Sequence, residues 1–166
     1  MLYPLTVRDF LDRAVDVYPD RVAVIDEPDQ PAPSLGSLTY RELCERAHAQ
    51  AAKLDQLGVS AGGRVAFISQ NSARLLTAFF GVSGFGRVLV PVNFRLSASE
   101  IAYIVQHSGS EVVYCDPEQR DVLAALDVPH KIVLGEDDSD LYLHGVEPQP
   151  WEAPDEGAIL DRKSVV

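Results

Sequence analysis

"RVAFISQNSARLLTAFFGVSGFGRVLVPV", residues 64–92, holds two short apolar runs, "RVAFIS" (64–69) and "VLVPV" (88–92), on either side of a stretch of helical length. The runs are too short and too continuously apolar for half-exposed strands, so they read as strands buried on both faces. The same alternation continues downstream. "SASEIAYIVQHSG" leads into "EVVYC" (111–115), and "DPEQRDVLAAL" leads into "KIVL" (131–134). Buried strands joined by helices predict an α/β fold, a largely parallel sheet with helices on both faces.

Upstream, Val7, Phe10, Leu11, Ala14, Val15 and Tyr18 recur at helical spacing and predict a helix with this stripe on one face, opened by Thr6 with Asp9 and stopped at Pro19. "VAVI" (22–25) reads as a strand and "DEPDQPAPSLGS" (26–37) as a polar loop. In "LTYRELCERAHAQAAKLDQLG" (38–58), Thr39 with Glu42 forms a capping box and Gly58 offers a left-handed stop. Ser97 with Glu100 is a second capping box, and Asp116 before Pro117 reads as the N-cap of a further helix. Beyond Leu134 the sequence turns acidic and aperiodic, as a surface connection would.

Composition narrows the partners. The 166 residues carry a formal charge of -11, which repels phosphate backbones and anionic lipid, so no nucleic-acid partner is expected. No apolar run reaches the roughly 18 residues of a membrane span, and the first thirty residues lack the pattern of a secretory signal. A soluble cytoplasmic protein without membrane insertion is the expectation. Cys44 and Cys115, the two cysteines, lie in elements patterned as buried and read as reduced core thiols.

Chemistry-bearing residues are sparse. Gly81, Gly84 and Gly86 close a helix and precede a strand, the reverse of a dinucleotide-binding loop, so close helix-on-sheet packing is expected of them. His48, His107, His130 and His144 are not paired at metal-ligand spacing, no catalytic residue set stands out, and neither a metal site nor a catalytic constellation is expected. The acidic run from Glu136 to Asp140 lacks the spaced ligands of a calcium loop and reads as solvated. Asn93 and Arg95 follow a buried strand and precede a capped helix, the strand-exit position where α/β sheets present ligand contacts, and an arginine fork there suits phosphate or carboxylate. On the residues alone, the alternative is that Asn93 holds the turn while Arg95 caps a carbonyl or pairs on the surface.

"PDRVAVID" (19–26), "LTYREL" (38–43), "GRVAF" (63–67), "PVN" (91–93) and "RLSASEIAYIVQHSG" (95–109), in this order and spacing, resemble the N-terminal portion of the adenylate-forming acyl-CoA synthetase superfamily, the AMP-dependent synthetases and ligases. The resemblance runs from about residue 5 to residue 160 and is nearest the fatty-acyl or aryl-acid branch. It implies a parent acid–thiol ligase that uses ATP and magnesium to join a small-molecule carboxylic acid to AMP, then passes the acyl group to coenzyme A. It also implies that Arg95 lies near the coenzyme A phosphates and that Asn93 supports the loop. Gly63 and Arg87 depart mildly from the family pattern.

The same resemblance implies a Ser/Thr/Gly-rich phosphate loop with a lysine, a metal carboxylate, a ribose aspartate and a C-terminal lysine, none of which this sequence contains. "PDEGAIL" (154–160) is similar to the approach to that loop, and "DRKSVV" (161–166) does not continue it. The expected organisation is therefore residues 1–160 as a partial N-terminal AMP-binding-enzyme domain and 161–166 as a non-family tail. Such a chain is expected to bind ATP, magnesium and coenzyme A poorly and to be inactive alone. A non-catalytic α/β binding or regulatory module remains the alternative.

Overall fold

The computed structural model describes residues 6–138 and 147–151. The chain runs α1 (Val7–Val17), β1 (Val22–Ile25), β2 (Ser37–Thr39), α2 (Tyr40–Gln56), β3 (Arg64–Ile68), α3 (Ala73–Gly81), β4 (Val88–Val92), α4 (Ala98–Ser108), β5 (Val112–Cys115), α5 (Arg120–Ala125) and β6 (His130–Val133). Strands β4-β3-β5-β6, in that order, form one fully parallel sheet, with Val65 opposite Leu89 on one side and Val112 on the other.

Strict alternation along these strands divides the core into two layers. Val65, Phe67, Leu89, Val112 and Tyr114 face one side and pack with Leu54 of α2 and Ala78 of α3. Ala66, Ile68, Val90, Val92, Val113 and Cys115 face the other and pack with Ile101 and Val105 of α4 and Leu123 of α5. The strand order explains the split. Passage from β3 to β4 and passage from β4 to β5 run in opposite directions across the sheet, so right-handed crossovers put α3 and α4 on opposite faces. Phe67 and Tyr114, on neighbouring strands, stack at 5.2 Å between ring centres.

The caps expected at α2 and α4 are in place. Thr39 Oγ1 accepts from the backbone N–H of Glu42 while the Thr39 N–H donates to Glu42 Oε2 at 2.7 Å, and Ser97 and Glu100 repeat the exchange at α4. Gly58 supplies the left-handed residue after α2, at φ 77°.

The structure adds to two expectations and corrects two others. The strand at 22–25 stays out of the parallel sheet and pairs antiparallel with β2, which takes Ser37 from the end of the expected loop and Leu38 and Thr39 from the start of the stretch read as helix. Along the α1 stripe, Leu11 is covered by α2, whereas Phe10 is 68 % exposed and Tyr18, 46 % exposed, carries the Arg21 guanidinium against its ring, at 4.5 Å from the centre. Gly81 and Gly84 serve helix-on-helix rather than helix-on-sheet packing, and Gly86, at φ 77°, lies against Trp151. A Cβ on Gly81 would lie 2.8 Å from the Ala47 carbonyl oxygen of α2, and Gly84 faces Arg8 of α1. Finally, the acidic run is not simply solvated. Asp138 is buried and accepts from Arg74 Nε at 2.7 Å, Asp137 Oδ2 accepts from the Val133 N–H, and Glu136 pairs with Arg120. Asp140, His144 and residues 154–166 lie outside the described residues.

Candidate functional site

In doubly wound sheets, ligands gather where consecutive crossovers leave on opposite faces, beyond the carboxyl ends of the strands. Here that point lies between β3 and β5. The β3 exit loop carries Ser69 and Gln70, and the β5 exit carries Asp116. Asp116 occupies the position before the helical turn at 117–119, but its carboxylate does not cap that turn. It reaches across instead: Ser69 Oγ donates to Asp116 Oδ1 at 3.1 Å and the Gln70 N–H donates to Oδ2 at 2.8 Å. Asp116 thus holds the expected N-cap position, with Pro117 after it, but its carboxylate bridges the switch point.

Burial pushes the Asp116 carboxyl above the ordinary value of 3.8, against the pull of the Gln70 and Ser69 hydrogen bonds. In the folded chain it therefore holds its proton more tightly than when unfolded. Its contribution to stability is largest when protonated and declines as pH rises from the ordinary value through the raised folded one. Asp116→Asn, neutral throughout, is expected to remove that decline. The check is the melting temperature of both proteins across the acid range. The gap between them should shift in favour of the variant as pH rises, and parallel profiles would contradict the assignment.

Arg95 lies one strand away, at the exit of the outer strand β4. Asn93 shapes this turn, its Oδ1 accepting from the Arg95 N–H at 3.0 Å and its carbonyl from the Leu96 N–H at 3.2 Å. Gln119 Nε2 donates to the Phe94 carbonyl at 3.1 Å and ties the β4 exit to the β5 exit. The Arg95 side chain is exposed, with its guanidinium carbon 5.1 Å from the centre of the Phe94 ring. Asn93 holds the turn, as the alternative reading had it, but neither a carbonyl nor a carboxylate holds the Arg95 side chain among the described residues. The fork is fixed at its base by the Asn93 turn, supported on one side by an aromatic face, and open to an anion.

Arg87 has a structural role: it is buried, its Nε donating to the Val59 carbonyl at 2.9 Å and a terminal nitrogen pairing with Asp55. The lysines of the described residues, Lys53 and Lys131, sit in α2 and β6 rather than on a glycine-rich loop. Burial raises the thiols of Cys44 to about 11 and Cys115 to about 12, which keeps them protonated at neutral pH. Cys115 is a core thiol as expected, but Cys44 is only half-buried.

Comparison with known proteins agrees with this architecture. Residues 11–164 match the sequence model of the AMP-binding enzyme family. The chain is 38 % identical over 135 residues to 4-hydroxybutyrate–CoA ligase 2 of Metallosphaera sedula, covering 80 % of this chain and 23 % of that protein. It is 34 % identical over 164 residues to the long-chain-fatty-acid–CoA ligase of Thermus thermophilus, covering 93 % and 30 %. The chain thus spans no more than about a third of these relatives. Among solved structures, the fatty acyl CoA synthetase of Mycobacterium tuberculosis superposes with a TM-score of 0.74 at 28 % identity, over 91 % of this chain and 31 % of that one. The N-terminal domain of FACL13 from the same organism gives 0.76 at 27 % identity, over 92 % and 40 %. With the sheet order, the capped helices and nearly the whole length accounted for, the chain belongs to the AMP-binding enzyme family.

Proposed function

We propose that this chain is the N-terminal part of an ATP- and magnesium-dependent carboxylate–CoA ligase acting on a fatty or aryl acid, and that it does not form an acyl adenylate by itself. The observation that carries this reading is the extended match to enzymes named as carboxylate–CoA ligases, which spans most of this chain and a minor part of each of them. Open apolar surface supports it. Phe10, Val17, Val22 and Ile25 are each more than half exposed around α1 and β1, as expected where further chain would pack.

Bound ATP and magnesium would supply activation of the carboxylate, with groups outside the described residues. What these residues contribute is a rigid sheet edge, with the β3 and β5 exits locked by Asp116 and the β4 exit presenting Arg95. We assign Arg95 to the phosphates of coenzyme A: its open fork offers paired donors to a phosphate, and Phe94 and Asn93 limit its motion. In the longer ligase, Arg95→Ala is expected to raise the KM for coenzyme A about tenfold or more, the loss of a charge-assisted hydrogen bond. Adenylate formation, followed by pyrophosphate release without coenzyme A, should be little changed. Equal losses in both half-reactions would contradict the assignment.

The organisation is tested by sequencing the source DNA across the codon for Leu160 from primers well outside it. The reading frame is expected to run on into a Ser/Thr/Gly-rich loop with a lysine, leaving "DRKSVV" as a non-native tail. A stop codon after Val166 in that DNA would instead favour a binding or regulatory module of ligase ancestry.

A further inference from the structure

Where α1 lies against α2, away from the strand exits, three side chains of metal-binding type converge. Asp12 comes from α1, and Cys44 and His48 lie one turn apart on α2; one ligand atom from each falls within 4.8 Å of the others. Cys44 Sγ lies 3.6 Å from His48 Nε2. With metal–sulfur bonds of about 2.3 Å and metal–nitrogen bonds of about 2.0–2.1 Å, a tetrahedral angle sets sulfur and nitrogen about 3.6 Å apart, so this pair already stands at the edge length of a zinc site.

The other face of the imidazole is also arranged. Glu147 Oε2 lies 3.2 Å from His48 Nδ1, which would place the proton on Nδ1 and leave the Nε2 lone pair directed toward Cys44. A carboxylate behind a histidine in this way is the usual outer support of a metal-ligating imidazole. Phe85 meets the ring edge to face at 5.3 Å and restricts its rotation. All three first ligands are half-buried, which limits competing water without sealing the site.

We propose that Asp12, Cys44 and His48 bind a zinc-class divalent cation, with Glu147 orienting His48 and a water completing the tetrahedron. The donor set, one thiolate, one imidazole and one carboxylate, suits zinc better than magnesium or calcium, which prefer oxygen. On binding, the metal–sulfur bond replaces the S–H bond and one proton goes to solvent. Asp12 Oδ2 now accepts from Arg8 Nε at 3.0 Å, so the aspartate exchanges that contact for the metal. The bound ion would fasten α1 to α2.

The test is titration of the untagged 166-residue chain with Co²⁺, followed in absorbance, with Zn²⁺ as competitor. The expected result is a thiolate-to-cobalt charge-transfer band with tetrahedral visible bands, both bleached by Zn²⁺. Cys44→Ser should abolish the charge-transfer band and Cys115→Ala should keep it. Glu147→Gln, at an exposed position that leaves the fold intact, should weaken binding by roughly 10–100-fold. A chain with a native circular-dichroism spectrum but no charge-transfer band would overturn the proposal and leave a thiol–imidazole hydrogen bond. So would a band lost with Cys115 rather than Cys44, or full affinity in Glu147→Gln.

Discussion

Asp138→Ala is expected to lower the unfolding free energy by about 1.5–3 kcal/mol, a sizeable part of the margin of an ordinary domain. Arg74 and Asp138 are each 2 % exposed, and the guanidinium also donates to the Pro33 carbonyl at 2.5 Å. Asp138 Oδ1 further accepts from the Gly135 N–H at 2.8 Å. The pair thus pins three segments: the loop between β1 and β2, the first turn of α3, and the turn after β6. Removing the carboxylate takes away the buried charge-assisted bond to Arg74 and the acceptor of the Gly135 N–H, and these lost contacts are the main cost. The double variant Arg74→Met with Asp138→Leu is expected to recover most of the loss, because a buried ion pair and an apolar pair of similar volume are often close in stability. Urea denaturation of the three proteins checks this. A single variant within about 0.5 kcal/mol of the parent, the range of ordinary surface substitutions, would show that the charge is not held in a dry site.

Gly81→Ala is expected to destabilise the chain by about 1–3 kcal/mol even though alanine is the better helix former by about 1 kcal/mol. The added Cβ would meet Gln50 Oε1 at 2.6 Å and the Ala47 carbonyl oxygen at 2.8 Å. The glutamine side chain can move, but the carbonyl belongs to the middle of α2 and cannot yield without moving that helix off α3. Ala47, Leu54 and Ala78 lie in the same seam, so the displacement would open the core beneath. A melting temperature at or above that of the parent would mean that the helices separate more easily than their packing implies.

Both effects bear on what the sequence makes legible. The parallel sheet and its helices follow from local pattern: apolar runs at 64–69, 88–92, 111–115 and 131–134, and capping boxes at Thr39 and Ser97, each decided within a few residues. What local pattern misses are contacts between distant segments. Arg74 reads as an ordinary helix residue and Asp138 as one of several loop acids, yet they meet across 64 positions. Asp116 reads as a cap because a proline follows it, whereas the nearby exit of β3 offers donors 46 and 47 positions away. The α1 stripe is legible as a stripe, but its spacing does not say how much of it a neighbour covers. Around the candidate sites, the strand-exit placement of Arg95 is readable from the order of elements. The relation of Cys44 to His48 is present in the sequence too, but as a mixed pair it escapes a scan for paired histidines or paired cysteines.

Proposed activity and organisation meet in one assay. Carboxylate-dependent ATP–pyrophosphate exchange should be measured on the purified 166-residue chain and on its product extended by the native downstream sequence, over fatty and aryl acids. The account predicts no exchange above background for the chain alone and clear exchange for the extended protein. Exchange by the chain alone that persists through repurification, or none by the extended protein with any acid, would contradict it.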